Sequence, residues 1–339
     1  MKKVNIAVLG ATGVVGGEIL KILEEKNFPY NEIKFLSSAR SAGKEIEFAG
    51  KKHTVEEAKP EAFDGINIVL ASAGSGTSQK FADEIIKRGG IIVDNSSAFR
   101  MDKEVPLVIA GVNDEDLKWN KGIIANPNCS TSQLMLPLKP LHEYGTIKRM
   151  IVSTYQSVSG AGKEAIDDLH NGTQKALYHE SYHYEKFTNK PIAFNLIPQI
   201  DVFCDNGYTK EEMKVVNETR KILHLPEGTL ISCTAVRVPV FISHSEAVTI
   251  EFEKEITPEK ARELLSSAYG VTVIDNPEKE EYPTPIEAAG KDPVYVGRIR
   301  KDLALDNGLS MWVVADNLRI GAALNTVRIA EKLVEMDLV

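Results

Sequence analysis

The sequence predicts an α/β protein: an N-terminal doubly wound parallel sheet, followed by an α+β part built on a mostly antiparallel sheet. Three observations carry this. The first third alternates short Val- and Ile-rich runs with stretches of helical spacing. After about residue 145 the apolar runs lengthen and alternate apolar with polar residues. The first apolar run, Val4–Leu9, passes through a glycine-rich turn directly into a helical pattern. A length of 339 residues suits about two domains.

The elements follow in order. Val4–Leu9 reads as a buried parallel strand, being almost continuously apolar. From Val14 to Lys26, Val15, Ile19, Ile22 and Leu23 fall on one helical face. Ile33–Leu36, Ile66–Ala71 and Ile91–Asp94 read as further strands of the same sheet. Ser75–Arg88 is the helix between the last two, stopped by Gly89-Gly90. Beyond this, strands are expected at Ile147–Thr154, Leu230–Val240, Glu246–Glu253, Val294–Arg300 and Ser310–Asp316. In the third of these, Glu246, Val248, Ile250 and Phe252 alternate with Ala247, Thr249, Glu251 and Glu253, giving a sheet with two different faces. One face is expected against the helices Lys163–Tyr178 and Lys210–Leu223, the other against solvent or a second subunit. Ile320–Met336 is an amphipathic helix.

Composition narrows the function classes. Lys plus Arg is 40 against 48 Asp plus Glu, a net charge of −8, which argues against general nucleic-acid binding. Three cysteines without a CxxC pair argue for a reducing compartment and against a disulfide framework or a Cys-rich metal site. No run approaches a membrane span, and Met1-Lys2-Lys3 with its short apolar run does not read as a signal segment, so a cytoplasmic protein is expected.

Gly10, Thr12, Gly13, Val14, Val15 and Gly16 lie in a GxxGxxG turn between the first strand and the first helix. Glycines there let backbone approach a pyrophosphate, and the helix N-terminus offers unpaired N–H groups to it, as in a Rossmann-like nucleotide domain. The plainer alternative is a tight turn without a ligand. The second strand ends Leu36-Ser37-Ser38-Ala39-Arg40-Ser41, with no acid to hold a ribose hydroxyl. Arg40 and Ser41 suit a 2′-phosphate instead, which favours NADP; otherwise Arg40 is a solvated loop residue.

Cys129, in Asn126-Pro127-Asn128-Cys129-Ser130-Thr131-Ser132, stands at an expected helix start, where the dipole favours thiolate. Asn128 could donate to an oxyanion formed on a carbonyl attacked by that sulfur. Most cysteines are small buried packing residues, and Cys204 and Cys233 fit that description better. A thiolate beside a nicotinamide implies attack on a carbonyl carbon, hydride transfer at that carbon, and a thioester.

At this point the sequence resembles the aspartate-β-semialdehyde dehydrogenase family over essentially its whole length. The resemblance rests on Gly10–Gly16, Asn95–Arg100 (NSSAFR), Asn126–Thr131 (NPNCST), Thr154–Gly162 (TYQSVSGAG), Glu211–Lys214, Arg237–Val240 with His244–Glu246, and Ala315–Asn325 (ADNLRIGAALN). Glyceraldehyde-3-phosphate dehydrogenase has a similar layout with its cysteine in a different local sequence. N-acetyl-γ-glutamyl-phosphate reductase normally has glycine where Asn128 stands. The resemblance implies reduction of 4-aspartyl phosphate by NADPH to L-aspartate 4-semialdehyde and phosphate, reversibly. It implies a place in lysine (through diaminopimelate), threonine, methionine and isoleucine biosynthesis.

By resemblance Cys129 is the nucleophile, His244 the acid/base and Gln156 a residue that orients substrate, two residues past Thr154 on the same strand face. Arg237 would clamp the α-carboxylate, Glu211 would pair the α-ammonium, and Lys214 with Arg100 would bind phosphate. Read without the family, Glu211 and Lys214 are an ordinary surface ion pair. Ser159, Gly160 and Asn317 would approach the nicotinamide. The other histidines, at 53, 142, 170, 179, 183 and 224, fall outside the matched motifs. The NADP-binding domain would be residues 1–127 with 318–339, the catalytic and dimerisation domain 128–317. Homodimerisation is expected through the sheet face. A small-molecule substrate is expected, with no metal, nucleic acid or membrane partner.

Two alternatives stand beside this. The same chemistry could act on N-acetylglutamyl phosphate or malonyl-CoA, neither of which has an α-ammonium for Glu211. The chain could instead be a silent NADP-binding scaffold, against which the intact Cys129, Gln156 and His244 count.

Overall fold

The structure is a computed structural model that describes residues 2–181 and 190–339; Met1 and His183 lie outside the described residues. The chain divides into two compact units, Met1–Asn128 with Ala322–Val339, and Cys129–Gly321.

The first unit begins with β1 (Val4–Leu9), α1 (Val14–Glu25) and β2 (Tyr30–Ser37). β3 (Glu45–Phe48), β4 (Lys51–Thr54) and β5 (Glu56–Glu57) follow, then β6 (Ile68–Ala71), α2 (Ser75–Lys87), β7 (Ile91–Asp94) and β8 (Ile123–Ala125). Its main sheet is six-stranded in the order β5-β2-β1-β6-β7-β8, and every pair is parallel. Ala7, Leu9, Val69, Ala71 and Ile92 pack with Phe81, Ala82 and Ile85 of α2 on one face. The opposite face, set by the pleat, carries Ile6, Val8, Ile68, Leu70 and Val93, all fully buried. Burying each such side chain contributes roughly 1.5–3 kcal/mol.

The β3–β4 hairpin has no counterpart in the sequence expectation. Its two-residue turn, Ala49-Gly50, has φ values of 51° and 69°, the doubly left-handed turn that matches strand twist. Alanine at the first of these positions is a poor turn signal, which hid the hairpin. Phe48 anchors it on Tyr30 and Phe35.

The second unit opens with α3 (Cys129–Gly145) and β9 (Ile147–Gln156), then α4 (Lys163–Leu177), α5 (Lys210–Ile222), β10 (Leu230–Arg237) and β11 (His244–Phe252). α6 (Pro258–Ser266), β12 (Val271–Val273), α7 (Pro285–Ala288), β13 (Val294–Lys301) and β14 (Gly308–Ala315) complete it. Pro137 and Pro140 stand inside α3. Leu134, Met135, Leu136, Leu138 and Leu141 around them are at most 2% exposed, and that burial outweighs the roughly 3 kcal/mol a helical proline costs.

The sheet order is β10-β9-β11-β14-β13-β12. The inner pairs are antiparallel and the two outer pairs parallel. Period-two alternation holds: Met150, Val152, Thr154 and Gln156 of β9 are buried, while Ile151 and Tyr155 point to an open face.

Three expectations are corrected. α4 packs Ala165 and Leu169 on Val158, Ile192 and Ile197 in a satellite cluster, and α3 is the long helix that meets β9, β11, β13 and β14. β10 stops at Arg237, short of Val240, because Pro239 has no N–H for a ladder. The last helix, α8 (Leu324–Glu335), starts later than Ile320, after a π-helical turn at Arg319–Ala323. α8 belongs to the first unit, where it meets α1, β6 and β7. Among the described residues no helix is long and apolar enough to cross a membrane.

Candidate active site

Strand ends bring the second unit's polar residues together. Gln156 closes β9 and stands in register with Arg237, the last residue of β10. His244 opens β11, whose next residue Ser245 pairs with Tyr155. Arg237, Gln156 and His244 therefore form a row across the helix-covered face of the sheet. Cys129 is the first residue of α3, and its Sγ lies 3.2 Å from His244 Nε2. The positive end of a 17-residue helix thus faces the sulfur.

His244 is fully buried. Its Nδ1 accepts from the Ser157 backbone N–H at 3.0 Å. A backbone N–H only donates, so the neutral ring carries its proton on Nε2, toward Cys129. Burial, reinforced by the charge of Arg237, pulls the imidazole down to about 3. Ser157 Oγ, 3.1 Å from Nδ1, donates to Asn317 Oδ1 at 3.1 Å. That oxygen also accepts from Ser159 Oγ at 3.1 Å and from the Ser243 N–H at 2.9 Å. Asn317 thereby clamps the 157–159 turn to the start of β11.

Thr154 Oγ1 donates to Gln156 Oε1 at 3.1 Å, which turns the Gln156 amide so that Nε2 donates to Glu211 Oε1, also at 3.1 Å. Lys214 donates to Glu211 Oε2 and to Asp201 Oδ2, each at 3.0 Å. Glu211 is 5% exposed, so the pair is no surface salt bridge. Burial opposes the Lys214 charge, but Glu211 and Asp201 more than offset it and hold its pKa above the usual lysine value. Arg237 is buried, and its Nη1 donates to the Ser157 carbonyl at 2.8 Å. Burial holds it below the ordinary arginine range.

Two glycines are required by close approach. A Cβ on Gly160 would sit 3.2 Å from Arg237 Nη1 and 3.2 Å from His244 Nε2. A Cβ on Gly321 would sit 2.7 Å from the Cys129 Cβ.

The first unit holds the other expected residues. Gly10 has φ +90°, and a Cβ on Gly16 would lie 2.1 Å from the Gly10 carbonyl oxygen. Gly13 caps α1 without any side-chain hydrogen bond, so the N–H groups of its first turn, at Val14, Val15 and Gly16, receive no side-chain cap from it. Thr12 Oγ1 meets Ser37 Oγ at 3.1 Å, tying this turn to the end of β2. Arg40 is exposed in the turn that follows β2, and Ser41 is buried beside it. This arrangement fits a dinucleotide: bare helical N–H groups for a pyrophosphate, with hydroxyls and a cation at the neighbouring strand end. Arg100 is buried, donating to the carbonyls of Asn126 at 2.9 Å and Asn95 at 2.7 Å. Asn128, also buried, immediately precedes Cys129.

Within one unit the structure brings together Cys129, Gln156, Ser159, Gly160, Glu211, Lys214, Arg237, His244 and Asn317. Thr154 stands on the Gln156 face as expected, and Ser157, Asp201 and Gly321 join them unanticipated. Ser157 and Gly321 sit inside the quoted motifs TYQSVSGAG and ADNLRIGAALN, but a hydrogen bond from backbone and a missing Cβ leave no pattern in side-chain chemistry. Cys233 is buried, and burial drives its thiol pKa strongly upward. Among the described residues no three His, Cys, Asp or Glu side chains gather as a metal site.

Residues 5–120 match the family described as semialdehyde dehydrogenase, NAD binding domain. Residues 138–320 match semialdehyde dehydrogenase, dimerisation domain. The aspartate-semialdehyde dehydrogenase of Aquifex aeolicus is 54% identical, over 99% of both chains. The crystal structure of aspartate semialdehyde dehydrogenase II from Vibrio cholerae, complexed with ASA, superposes with a TM-score of 0.95 at 44% identity, covering 99% of each chain. Aspartate semialdehyde dehydrogenase with NADP from Candida albicans gives a TM-score of 0.79 at 26% identity, covering 100% of each chain. The chain belongs to the aspartate-semialdehyde dehydrogenase family.

Proposed function

We propose that this chain reduces 4-aspartyl phosphate to L-aspartate 4-semialdehyde and phosphate, using NADPH and a thioester on Cys129. The observation that carries the reading is the Cys129 sulfur at a helix N-terminus, 3.2 Å from the Nε2 of a buried histidine. Cys129 Sγ forms a bond to the acyl carbon, and the phosphate leaves with the electron pair of the broken C–O bond. NADPH, when bound, supplies the hydride. His244 serves at the oxygen of the tetrahedral adduct on Cys129, donating from Nε2 as negative charge develops. Collapse breaks the C–S bond, returns the electron pair to sulfur and frees the aldehyde. The departing phosphate takes up the one proton consumed overall.

The chemistry of the substrate matches the residues that surround the sulfur. Arg237 presents a bidentate fork to the α-carboxylate. Glu211 pairs the α-ammonium, and its presence argues against an N-acetylated or CoA-linked substrate. Gln156 positions the acyl group, Asn128 donates to the oxyanion, and Lys214 with Arg100 takes the phosphate. Ser159, Gly160 and Asn317 form the nicotinamide end, with the Gly10–Gly16 turn, Arg40 and Ser41 for the rest of the cofactor. We assign residues 1–127 with 318–339 to the cofactor domain and 128–317 to the catalytic and dimerisation domain. The homodimer forms on the sheet face that carries Ile151 and Tyr155. The reading carries with it a role in the synthesis of lysine through diaminopimelate, threonine, methionine and isoleucine.

The test is nicotinamide absorbance with aspartate semialdehyde and NADP, with and without inorganic phosphate. A phosphate-dependent rise is expected. No rise, with NADPH still binding, would send the assignment to N-acetylglutamyl or CoA substrates.

A further inference from the structure

A second buried polar contact lies behind Cys129 and His244. Gln133 follows Cys129 by one helical turn on α3, so the two share a face. Its Nε2 donates to the His244 backbone carbonyl at 3.4 Å. Glu246 follows His244 by two residues on β11 and projects to the same side of the sheet. Its partners in register are Thr154 and Val313. Gln133 and Glu246 are both 0% exposed. The Gln133 amide also approaches the Glu246 carboxyl, an approach that on its own favours the charged form. Yet Gln133 Oε1 and both carboxyl oxygens of Glu246 have no hydrogen-bond donor among the described residues.

An amide oxygen and a carboxylate present lone pairs only, so they cannot satisfy one another. A proton on Glu246 changes this, because a carboxylic acid O–H can donate to the amide oxygen. The surroundings favour that form. The Cys233 thiol on β10 feels the charge of the Glu246 carboxyl, as it does those of Glu211 and Glu212, and the influences on Glu246 itself are burial and the Gln133 amide. His244 on the same strand is neutral, and the charged Arg237 stands in the outer row beside Gln156. Leaving a buried carboxylate unpaired is strongly unfavourable, and burial, outweighing the Gln133 amide, drives the Glu246 pKa well above the usual carboxylate range.

We propose that Glu246 is a positioning residue that acts as a neutral carboxylic acid: its O–H donates to Gln133 Oε1, and Gln133 passes the contact to the His244 backbone carbonyl. The start of the Cys129 helix and the start of the His244 strand are thereby locked together. The inference rests on Cys129 and His244 being the reacting pair. A sulfur displaced by 1 Å from its partner can lose about a hundredfold in rate, which gives the lock its purpose.

Glu246→Gln keeps a donor at the same place, whereas Glu246→Met keeps the volume and removes it. E246Q should retain kcat within about threefold, while E246M loses about tenfold or more in kcat with little change in KM. Alkylation of Cys129 by iodoacetamide, which needs neither substrate nor cofactor, should slow in parallel in E246M alone. Infrared difference spectra of wild type against E246Q near neutral pH should contain the carbonyl band of a protonated carboxylic acid, lost in the variant. That spectrum decides the matter even if E246M does not fold. Equal impairment of E246Q and E246M, equal indifference of both, or a carboxylate band in place of the acid band would overturn the proposal. Full turnover in C129A would instead overturn the thioester reading and leave the infrared result standing.

Discussion

The backbone N–H of Ser157 donates to His244 Nδ1 at 3.0 Å and so decides which ring nitrogen faces Cys129. It also ties stability to pH. The ring is held at about 3, against an ordinary value of 6.5, by burial first and by Arg237 second. Between those values the unfolded chain binds a proton that the native chain does not. The stability provided by the neutral ring is therefore complete above pH 6.5 and drains as pH falls toward 3, at up to about 1.4 kcal/mol per pH unit. Denaturant melts of wild type and His244→Asn, compared at neutral and at mildly acid pH, should show wild type losing more on acidification. Equal losses would mean that His244 is not held neutral.

Gly160 lies against two buried side chains at once. An alanine Cβ there would press to 3.2 Å on both Arg237 Nη1 and the His244 ring. Arg237 is fixed by its bond to the Ser157 carbonyl and His244 by the Ser157 N–H, so neither yields freely. Gly160→Ala should lower kcat/KM by about tenfold or more while leaving the melting temperature within a few degrees. Unchanged kinetics would show that the turn relaxes without moving the site.

Arg237→Lys tests the carboxylate clamp. Lysine keeps the charge but loses the planar fork and the bond to Ser157. The expected result is a KM for the semialdehyde raised by about tenfold or more, with a smaller loss in kcat. A lowered kcat at constant KM would move Arg237 from binding to the chemical step.

Arg40 stands exposed beyond β2, next to the turn that Thr12 ties to Ser37. Arg40→Ala should weaken NADPH more than NADH, by about tenfold if the guanidinium makes a charge-assisted bond to the 2′-phosphate. An equal loss for both would remove Arg40 from that role.

The parallel sheet was legible because Val4–Leu9, Ile66–Ala71 and Ile91–Asp94 are apolar but for Asn5, Asn67 and Asp94, as strands covered on both faces tend to be. The second sheet was legible in the alternation of Glu246–Phe252. That pattern already put Glu246 on the apolar side, where the structure buries it. The β3–β4 hairpin was not legible, since Ala49 takes a left-handed conformation without a residue type that announces it. The packing of α4 was also hidden, because an amphipathic face does not name the surface that it meets. In the site, Cys129 was marked by its helix-start setting and Gln156 and His244 by the family resemblance, and the three side chains lie together. Ser157 works through its backbone N–H, Gly321 through an absent Cβ, and Gln133 through a tertiary contact, and none of these is written in residue type.

The most direct test of the account is acylation of the enzyme without reductant. Incubated with 4-aspartyl phosphate alone, the enzyme should release one phosphate per chain in a burst, and its intact mass should rise by one aspartyl group. Peptide mapping should place that group on Cys129, and Cys129→Ala should show neither the burst nor the added mass. A burst that survives in C129A, or turnover in wild type with no acyl-enzyme under single-turnover conditions, would contradict the thioester at Cys129.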